Sequence, residues 1–293
     1  MNQKTRRLLI TGAGGFVGGH VAVLARSEWR VFGSWLHRPF DIPGVEKIRL
    51  DLTDHRDLRD RIREISPESI IHCAAMSNID TAQSDRITAR RINTEATRVI
   101  AGESARIGAR LIFTSTDMVF DGRRGDYSES DPVAPLNLYG ESKAAAEEAV
   151  RESVSDHVVA RLALVYGRPV TGGNSFSEFI RKRIARDQEI PLFTDQFRTP
   201  IWVGALARLL LELASHPFVG TLHLGGPERI DRYAFALKLA VCHGLPTGNF
   251  RPISMFDAQP EARRPQDVSL DSRKAAGLLR TPVPGISEGV RLA

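Results

Sequence analysis

Short apolar runs bounded by polar residues and glycine recur through the first half of the chain, and stretches of helical period lie between them. Arg7-Leu8-Leu9-Ile10-Thr11 is apolar at consecutive positions, which predicts a strand covered on both faces and ending at a glycine turn. Residues 17–27 place Val17, Val21 and Leu24 on one side and predict a helix. Further strands are expected at 30–34, 47–50, 69–75, 110–115 and 158–162. Helices are expected at 57–65, stopping before Pro67, at about 87–107, and from Tyr139 to Val150. Strands alternating with helices in this way predict an α/β fold with a doubly wound parallel sheet, its right-handed crossovers laying helices on both faces. Beyond residue 166 the pattern is less regular and richer in Pro and Gly. We expect a first domain at 1–166 and a smaller lobe at 167–293, with about 199–226 returning to the main sheet through the strand-like stretch from Gly220 to Gly226.

Composition narrows the function classes. Of 293 residues, 42% are hydrophobic and 26% charged, which excludes disordered and collagen-like chains. No run of about 18 apolar residues occurs, so no membrane span is expected. The polar start Met1-Asn2-Gln3-Lys4 leads straight into a strand rather than into a signal-peptide pattern. The net charge is +5 with both signs interspersed, which argues against a nucleic-acid arm and suits an anionic small molecule. Cys73 and Cys242 lie far apart with no second ligand nearby, as expected of reduced thiols in a cytoplasmic protein. His20, His55, His157, His216 and His243 fall at no ligand spacing, so no metal is expected. Glu147-Glu148 and Arg181-Lys182-Arg183 read as solvated helix faces.

The first glycine turn carries specific chemistry. In Thr11-Gly12-Ala13-Gly14-Gly15-Phe16-Val17-Gly18, Gly12 permits a tight turn and Gly15 clears the approach of a pyrophosphate. Gly18 lets the helix pack closely on the strand, and the N–H groups around Phe16 and Val17 face the phosphates with the positive end of the helix dipole. In its strand–turn–helix setting this is a dinucleotide site on a Rossmann-type sheet. The strand at 30–34 leads into Trp35-Leu36-His37-Arg38 with no acid to accept from a ribose 2′-hydroxyl, whereas Arg38 can pair with a 2′-phosphate. That favours NADP(H), with NAD(H) as the other option. The G-x-x-G-x-x-G spacing resembles the extended short-chain dehydrogenase/reductase family. The resemblance implies adenine contacts from Asp51 and Leu52. It implies a strand end at Cys73-Ala74-Ala75 beneath the adenosine ribose, and it matches Asn93 near the start of the long helix.

Tyr139-Gly140-Glu141-Ser142-Lys143 is a Y-x-x-x-K motif, and residues four apart share a helix face. Lys143 is therefore expected beside the Tyr139 phenol, lowering its pKa and fitting it to donate a proton to a ketone oxygen. Thr116 ends the strand at 110–115, where parallel sheets face their ligand crevice, and its hydroxyl suits a carbonyl oxygen. Ser115-Thr116-Asp117-Met118-Val119-Phe120-Asp121-Gly122 resembles the S-T-D-x-V-F-x-G signature of the dTDP-4-dehydrorhamnose reductases. That resemblance implies a Thr116–Tyr139–Lys143 triad, with Lys143 also bonding the nicotinamide ribose. It extends to Asn174-Ser175-Phe176, Asp195-Gln196-Phe197 and Arg264-Pro265, so Asn174, Gln196, Arg198 and Arg264 are the expected substrate residues. Met118 replaces the signature's tyrosine, and Arg198 stands where the reductases have a smaller residue, as in sugar-nucleotide epimerases. The implied activity is NAD(P)H-dependent reduction of the 4-keto group of a 6-deoxy sugar nucleotide. The alternatives are an NAD-dependent epimerase and a non-catalytic regulatory subunit like that of methionine adenosyltransferase. The expected partner is the nucleotide-sugar substrate, without nucleic acid or membrane, and a homodimer is compatible with the resemblance.

Overall fold

The computed structural model describes residues 6–258 and 262–293. The first half runs β1 (Arg7–Thr11), α1 (Phe16–Ala25), β2 (Arg30–Trp35), β3 (Val45–Arg49), α2 (His55–Ile65), β4 (Ser69–His72), α3 (Ile79–Ser84), α4 (Arg86–Arg90), α5 (Ala96–Ile107), β5 (Arg110–Thr116), α6 (Leu138–Ser153) and β6 (His157–Leu162). The second half continues with β7 (Val165–Tyr166), α7 (Phe176–Ala185), β8 (Ile190–Phe193), β9 (Phe197–Arg198), β10 (Ile201–Trp202), α8 (Val203–Leu213), β11 (Gly220–Leu224), β12 (Ile230–Asp231), α9 (Arg232–Cys242), β13 (Phe250–Ile253), α10 (Arg273–Leu278) and α11 (Ile286–Gly289).

Seven parallel strands form the central sheet in the order β11-β6-β5-β4-β1-β2-β3. The order of winding reverses between β1 and β4, and such a reversal opens a crevice at the carboxyl ends of the strands. Alternation along each strand feeds two cores. Leu8 and Ile10 of β1 pack with Val21, Ala22 and Leu210 under α1 and α8. Leu9, Ile70, Leu111 and Phe113 pack with Leu58, Ile100 and Val150 under α2, α5 and α6. A separate core of Phe176, Ile180, Leu192, Phe235 and Leu239 holds the second lobe.

Helix ends follow local chemistry. Asp54 caps α2 by accepting from the N–H groups of Arg56 and Asp57, and α2 stops at Ser66 in the left-handed region just before Pro67. Gly108, with φ 70°, closes α5. The long helix expected at 87–107 contains a π-helical turn, Arg91–Glu95, between α4 and α5. That turn aims Asn93 at Met76, whose N–H donates to Asn93 Oδ1 at 2.9 Å. β4 is shorter than the expected 69–75 because β1 leaves the sheet at Gly12. The last paired residues are Thr11 and His72, and beyond them only Thr11 is met on that side, its carbonyl accepting from the Cys73 N–H at 3.3 Å and its hydroxyl from the Ala74 N–H at 3.2 Å. Beyond residue 166 only a helical turn at Arg181-Lys182-Arg183 is expected; it falls within α7, and α9 forms as well, the two capped by Ser175 and Asp231 respectively.

Glu103 on α5 ties that helix to α2, accepting from Arg63 at 2.9 and 2.7 Å and from Arg106 at 2.7 Å. Hydrogen bonds from Arg63 hold its carboxyl at about 2, below the ordinary 4.5. A carboxylate depressed in the folded state adds stability that is complete above its unfolded pKa and is lost as the pH falls through the folded one. With both arginines about half exposed, we expect about 1–2 kcal/mol from it. Glu103→Gln should flatten the decline of melting temperature between about pH 5 and pH 2. An unchanged decline would assign the acid sensitivity elsewhere.

Candidate active site

A cavity of about 670 Å³ opens at the winding reversal. Its floor is the turn between β1 and α1. Gly12 has φ +72°, and a Cβ there would lie 2.9 Å from the Ala74 backbone. A Cβ on Gly18 would lie 2.3 Å from the Gly12 carbonyl oxygen, so only glycine lets α1 sit this close. A Cβ on Gly15 would meet only the Gly12 carbonyl oxygen of its own turn, at 3.1 Å, which leaves its cavity side clear. No side chain caps α1, and the first-turn N–H groups at Phe16 and Val17 lie on the cavity wall. Thr171 from the second lobe donates to the Gly15 carbonyl at 3.0 Å and so straps that lobe to the turn.

Every residue expected at the cofactor lines this cavity: Gly12, Gly15, Phe16, Val17, Gly18, Arg38, Asp51, Leu52, Cys73, Ala74, Ala75, Tyr139 and Lys143. Asp51 is shaped by its own turn. Its Oδ1 accepts from the Thr53 N–H and hydroxyl, both at 2.8 Å, and the backbone bond holds its carboxyl below the ordinary range. Burial pushes the Cys73 thiol up to about 12, so it stays protonated. Ser34 accepts from the Gly12 N–H at 3.2 Å and is thereby engaged inside the fold. Arg38 is exposed, and its side chain makes no hydrogen bond among the described residues, so it is available to a ligand.

Thr116, Tyr139 and Lys143 line the same cavity. Thr116 is held at the end of β5, donating to Asp117 Oδ1 and accepting from the Met118 N–H, both at 3.2 Å. Asn137 caps α6 by accepting from the Gly140 N–H at 2.9 Å and so fixes the turn that carries Tyr139. Lys143 is buried, with Nζ 4.0 Å from the centre of the Phe113 ring. Burial draws its ammonium down to about 7, and Glu147 acts against that. The Tyr139 phenol departs from expectation. Burial, with the charge of Asp117 in support, pushes it up to about 12, and hydrogen bonding to Thr116 only partly offsets the rise. Lys143 is not among the groups that lower it.

Glu147 also differs from its expected place on a solvated face. It is fully buried, while Glu148 is exposed. One turn beyond Lys143, it accepts from Ser115 at 2.6 Å and from Arg161 at 2.9 and 2.8 Å. The sheet-facing side of α6 thus carries a charge, balanced by Arg161 of β6 and by Arg151 one turn on, with Ser115 of β5 as a neutral donor.

The substrate side is assembled differently from the sequence expectation. Asn174 and Arg198 line the cavity, but Gln196 and Arg264 do not. Arg198 is buried and donates to the carbonyls of Gln266 and Pro265 at 3.2 and 3.3 Å. Its Nε lies 3.7 Å from Asp117. Arg264 pairs with Asp80 at 2.8 Å. Neither guanidinium presents a free fork to the cavity, because each already ties one segment of the fold to another. Two further charged residues line the wall, Asp117 and Arg232. Asp117 is legible in the S-T-D stretch. Arg232, first residue of α9, carries no motif that would mark it. Burial pushes the Asp117 carboxyl up to about 6, and its Oδ2 has no hydrogen-bond partner among the described residues. No cluster suited to a metal occurs among the described residues.

Residues 6–292 match the family described as RmlD substrate binding domain. The chain is 33% identical over 307 residues to methionine adenosyltransferase 2 subunit beta of Mus musculus, covering 99% of this chain and 89% of that protein. It is 32% identical over 291 residues to dTDP-4-dehydrorhamnose reductase of Mycobacterium tuberculosis, covering 97% and 90%. Its fold superposes on the crystal structure of the Bacillus anthracis dTDP-4-dehydrorhamnose reductase in complex with NADP with a TM-score of 0.86, at 28% identity and 98% coverage of each chain.

Removing one partner of a buried ion pair leaves the other charge uncompensated. Glu147→Ala should therefore cost about 3–5 kcal/mol of unfolding free energy in a urea titration. A loss of under about 1 kcal/mol would mean that the cluster does not hold α6 to the sheet.

Proposed function

Because the chain belongs to the RmlD substrate binding domain family, we propose that it is an NADPH-dependent reductase of the 4-keto group of a 6-deoxy sugar nucleotide. The observation that carries this reading is the meeting of Thr116, Tyr139 and Lys143 with the uncapped start of α1 in one cavity. The cradle suits a dinucleotide. Gly15 leaves the approach to the turn clear, Phe16 and Val17 of the uncapped first turn line the cavity, and Cys73-Ala74-Ala75 form an apolar wall.

NADP(H), when bound, supplies the hydride. Tyr139 supplies the proton: with its phenol pushed up to about 12 it stays protonated at neutral pH, the state a general acid needs. Thr116 turns its hydroxyl from Asp117 Oδ1 to the keto oxygen and so holds that oxygen beside the phenol by a hydrogen bond. Lys143 bonds the nicotinamide ribose and, when charged, stabilises the phenolate left after proton transfer. The product is the 4-hydroxyl, with no ring opening. Arg38 pairs with the 2′-phosphate, which favours NADPH over NADH and disfavours the epimerase alternative, whose NAD has no such phosphate.

Two free thiols suit a reducing, cytoplasmic setting. No helix among the described residues is long and apolar enough to cross a membrane. The rival reading is a non-catalytic dinucleotide-binding subunit of another enzyme. A complete Thr116–Tyr139–Lys143 set facing the cradle favours turnover. The deciding experiment follows NADPH oxidation with 4-keto sugar nucleotides. No oxidation, together with a co-purifying enzyme whose kinetics change, would replace the reductase with the regulatory subunit.

Tyr139→Phe should lower kcat about 10²-fold or more while the Kd for NADPH stays near that of the unmodified protein. Unchanged turnover would remove Tyr139 from the proton transfer. Arg38→Ala should cut the preference for NADPH over NADH roughly ten- to hundredfold, since a charge-assisted bond contributes about 1.5–3 kcal/mol. An equal loss for both cofactors would give Arg38 a general role in binding.

A further inference from the structure

The arginines of the substrate wall fall into two groups. Arg198 is engaged by the carbonyls of Pro265 and Gln266, and Arg264 by Asp80. Arg232 is half-buried on the cavity wall, and its guanidinium has no hydrogen bond or ion pair among the described residues. Its position is nevertheless fixed. Asp231 caps α9 by accepting from the Ala234 N–H at 2.8 Å, and the Arg232 N–H donates to the Gln196 carbonyl at 3.1 Å. The guanidinium stacks over Phe176, 4.2 Å from the ring centre. A side chain anchored at its backbone and along its face, with its donors unused, is prepared for a ligand.

The charge balance gives the sign of that ligand. Asp117 lies 3.7 Å from the Arg198 Nε, and its charge also acts on Arg232 without an ion pair between them. Asp267 also acts on Arg198, but it is already paired with Arg229 at 2.7 Å. Arg264 adds like charge, though Asp80 offsets it. The corner therefore holds one more cation than its carboxylates balance, and it lies beside the Thr116 end of β5. Burial and the neighbouring Arg198 draw the Arg232 guanidinium down to about 9, a strain that an arriving anion relieves.

We propose that Arg232 is the residue that binds the phosphate oxygens of the substrate's nucleoside diphosphate, while Arg198 and Arg264 serve to hold the wall together. This rests on the reductase reading and adds to it the residue that selects a nucleotide-linked sugar over a free one. Planar guanidinium forks match phosphate oxygens in pairs, and a free sugar offers nothing to answer the excess charge.

The test compares thymidine with dTDP, and uridine with UDP, by calorimetric titration of the protein saturated with NADPH. Wild type should prefer the diphosphate of each pair over its nucleoside. Arg232→Ala should reduce that preference about tenfold or more, Arg232→Lys should retain part of it, and NADPH affinity should stay within about twofold. Arg264→Ala should lower the melting temperature and keep the preference. Arg232→Gln, which preserves most of the side chain over Phe176, guards against a folding defect in the alanine variant. If Arg232→Ala and Arg232→Gln both keep the full preference, or wild type has none, the proposal is overturned. If the preference depends on Arg232 but no 4-keto sugar nucleotide oxidises NADPH, the anion site stands and the reductase reading fails.

Discussion

The Glu147 carboxylate fixes the relation between the three elements that carry the chemistry. It sits on α6 and is bonded to Ser115 on β5 and to Arg161 on β6. Thr116 follows Ser115 directly, and Lys143 and Tyr139 lie one and two turns before Glu147. A buried ion pair of this kind adds little net stability relative to an apolar replacement, because both charges lose water. Its effect lies in geometry. A charge buried on the sheet side of α6 has few places where its partners can reach it, so the register of the helix against the strands is restricted. The Glu147 carboxylate also supplies negative charge behind Lys143, opposing the burial that would neutralise it.

The cofactor end of the crevice depends on close approach rather than on charge. Gly12 and Gly18 bring β1, α1 and the Ala74 strand end within distances that no side chain would permit. His72, buried and drawn down to about 3, is a neutral imidazole that meets Thr11 at 2.6 Å and Thr97 at 3.0 Å. It ties β1 and β4 to α5 where the winding reverses. Rigid backbone on one side of the cavity thus faces a wall on the other that the second lobe builds from side chains. The Thr171 strap joins the two sides.

That second wall shows why residue type alone is a poor guide to a role. Arg198 and Arg264 have the chemistry of phosphate ligands, yet backbone carbonyls and Asp80 occupy their donors. A guanidinium carries five N–H groups and serves equally well to tie loops together, and burial favours that use whenever carbonyls are within reach. Arg232 differs only in what surrounds it.

The parallel sheet, the glycine turn and the Tyr139–Lys143 pair were legible before folding, because each is written in local spacing, while Thr116 joined that pair through its place at a strand end and the family resemblance. Period two or consecutive apolar runs mark strands, glycines at fixed intervals mark a turn that needs them, and residues four apart share a helix face. The positions that the sequence marked for the cofactor also line the cavity, most of them in the glycine turn or at the carboxyl ends of strands. The rest took shape only on folding. It shortened β4 where β1 turns away, placed Glu147 inside rather than out, and raised the Tyr139 phenol instead of lowering it. It also divided the arginines into engaged and free. These outcomes depend on burial and on partners distant in the chain, such as Asp80 for Arg264 and Arg161 for Glu147. The free energy of a charged group is set by the water it loses and the partners it gains, and neither is encoded in its neighbours along the sequence.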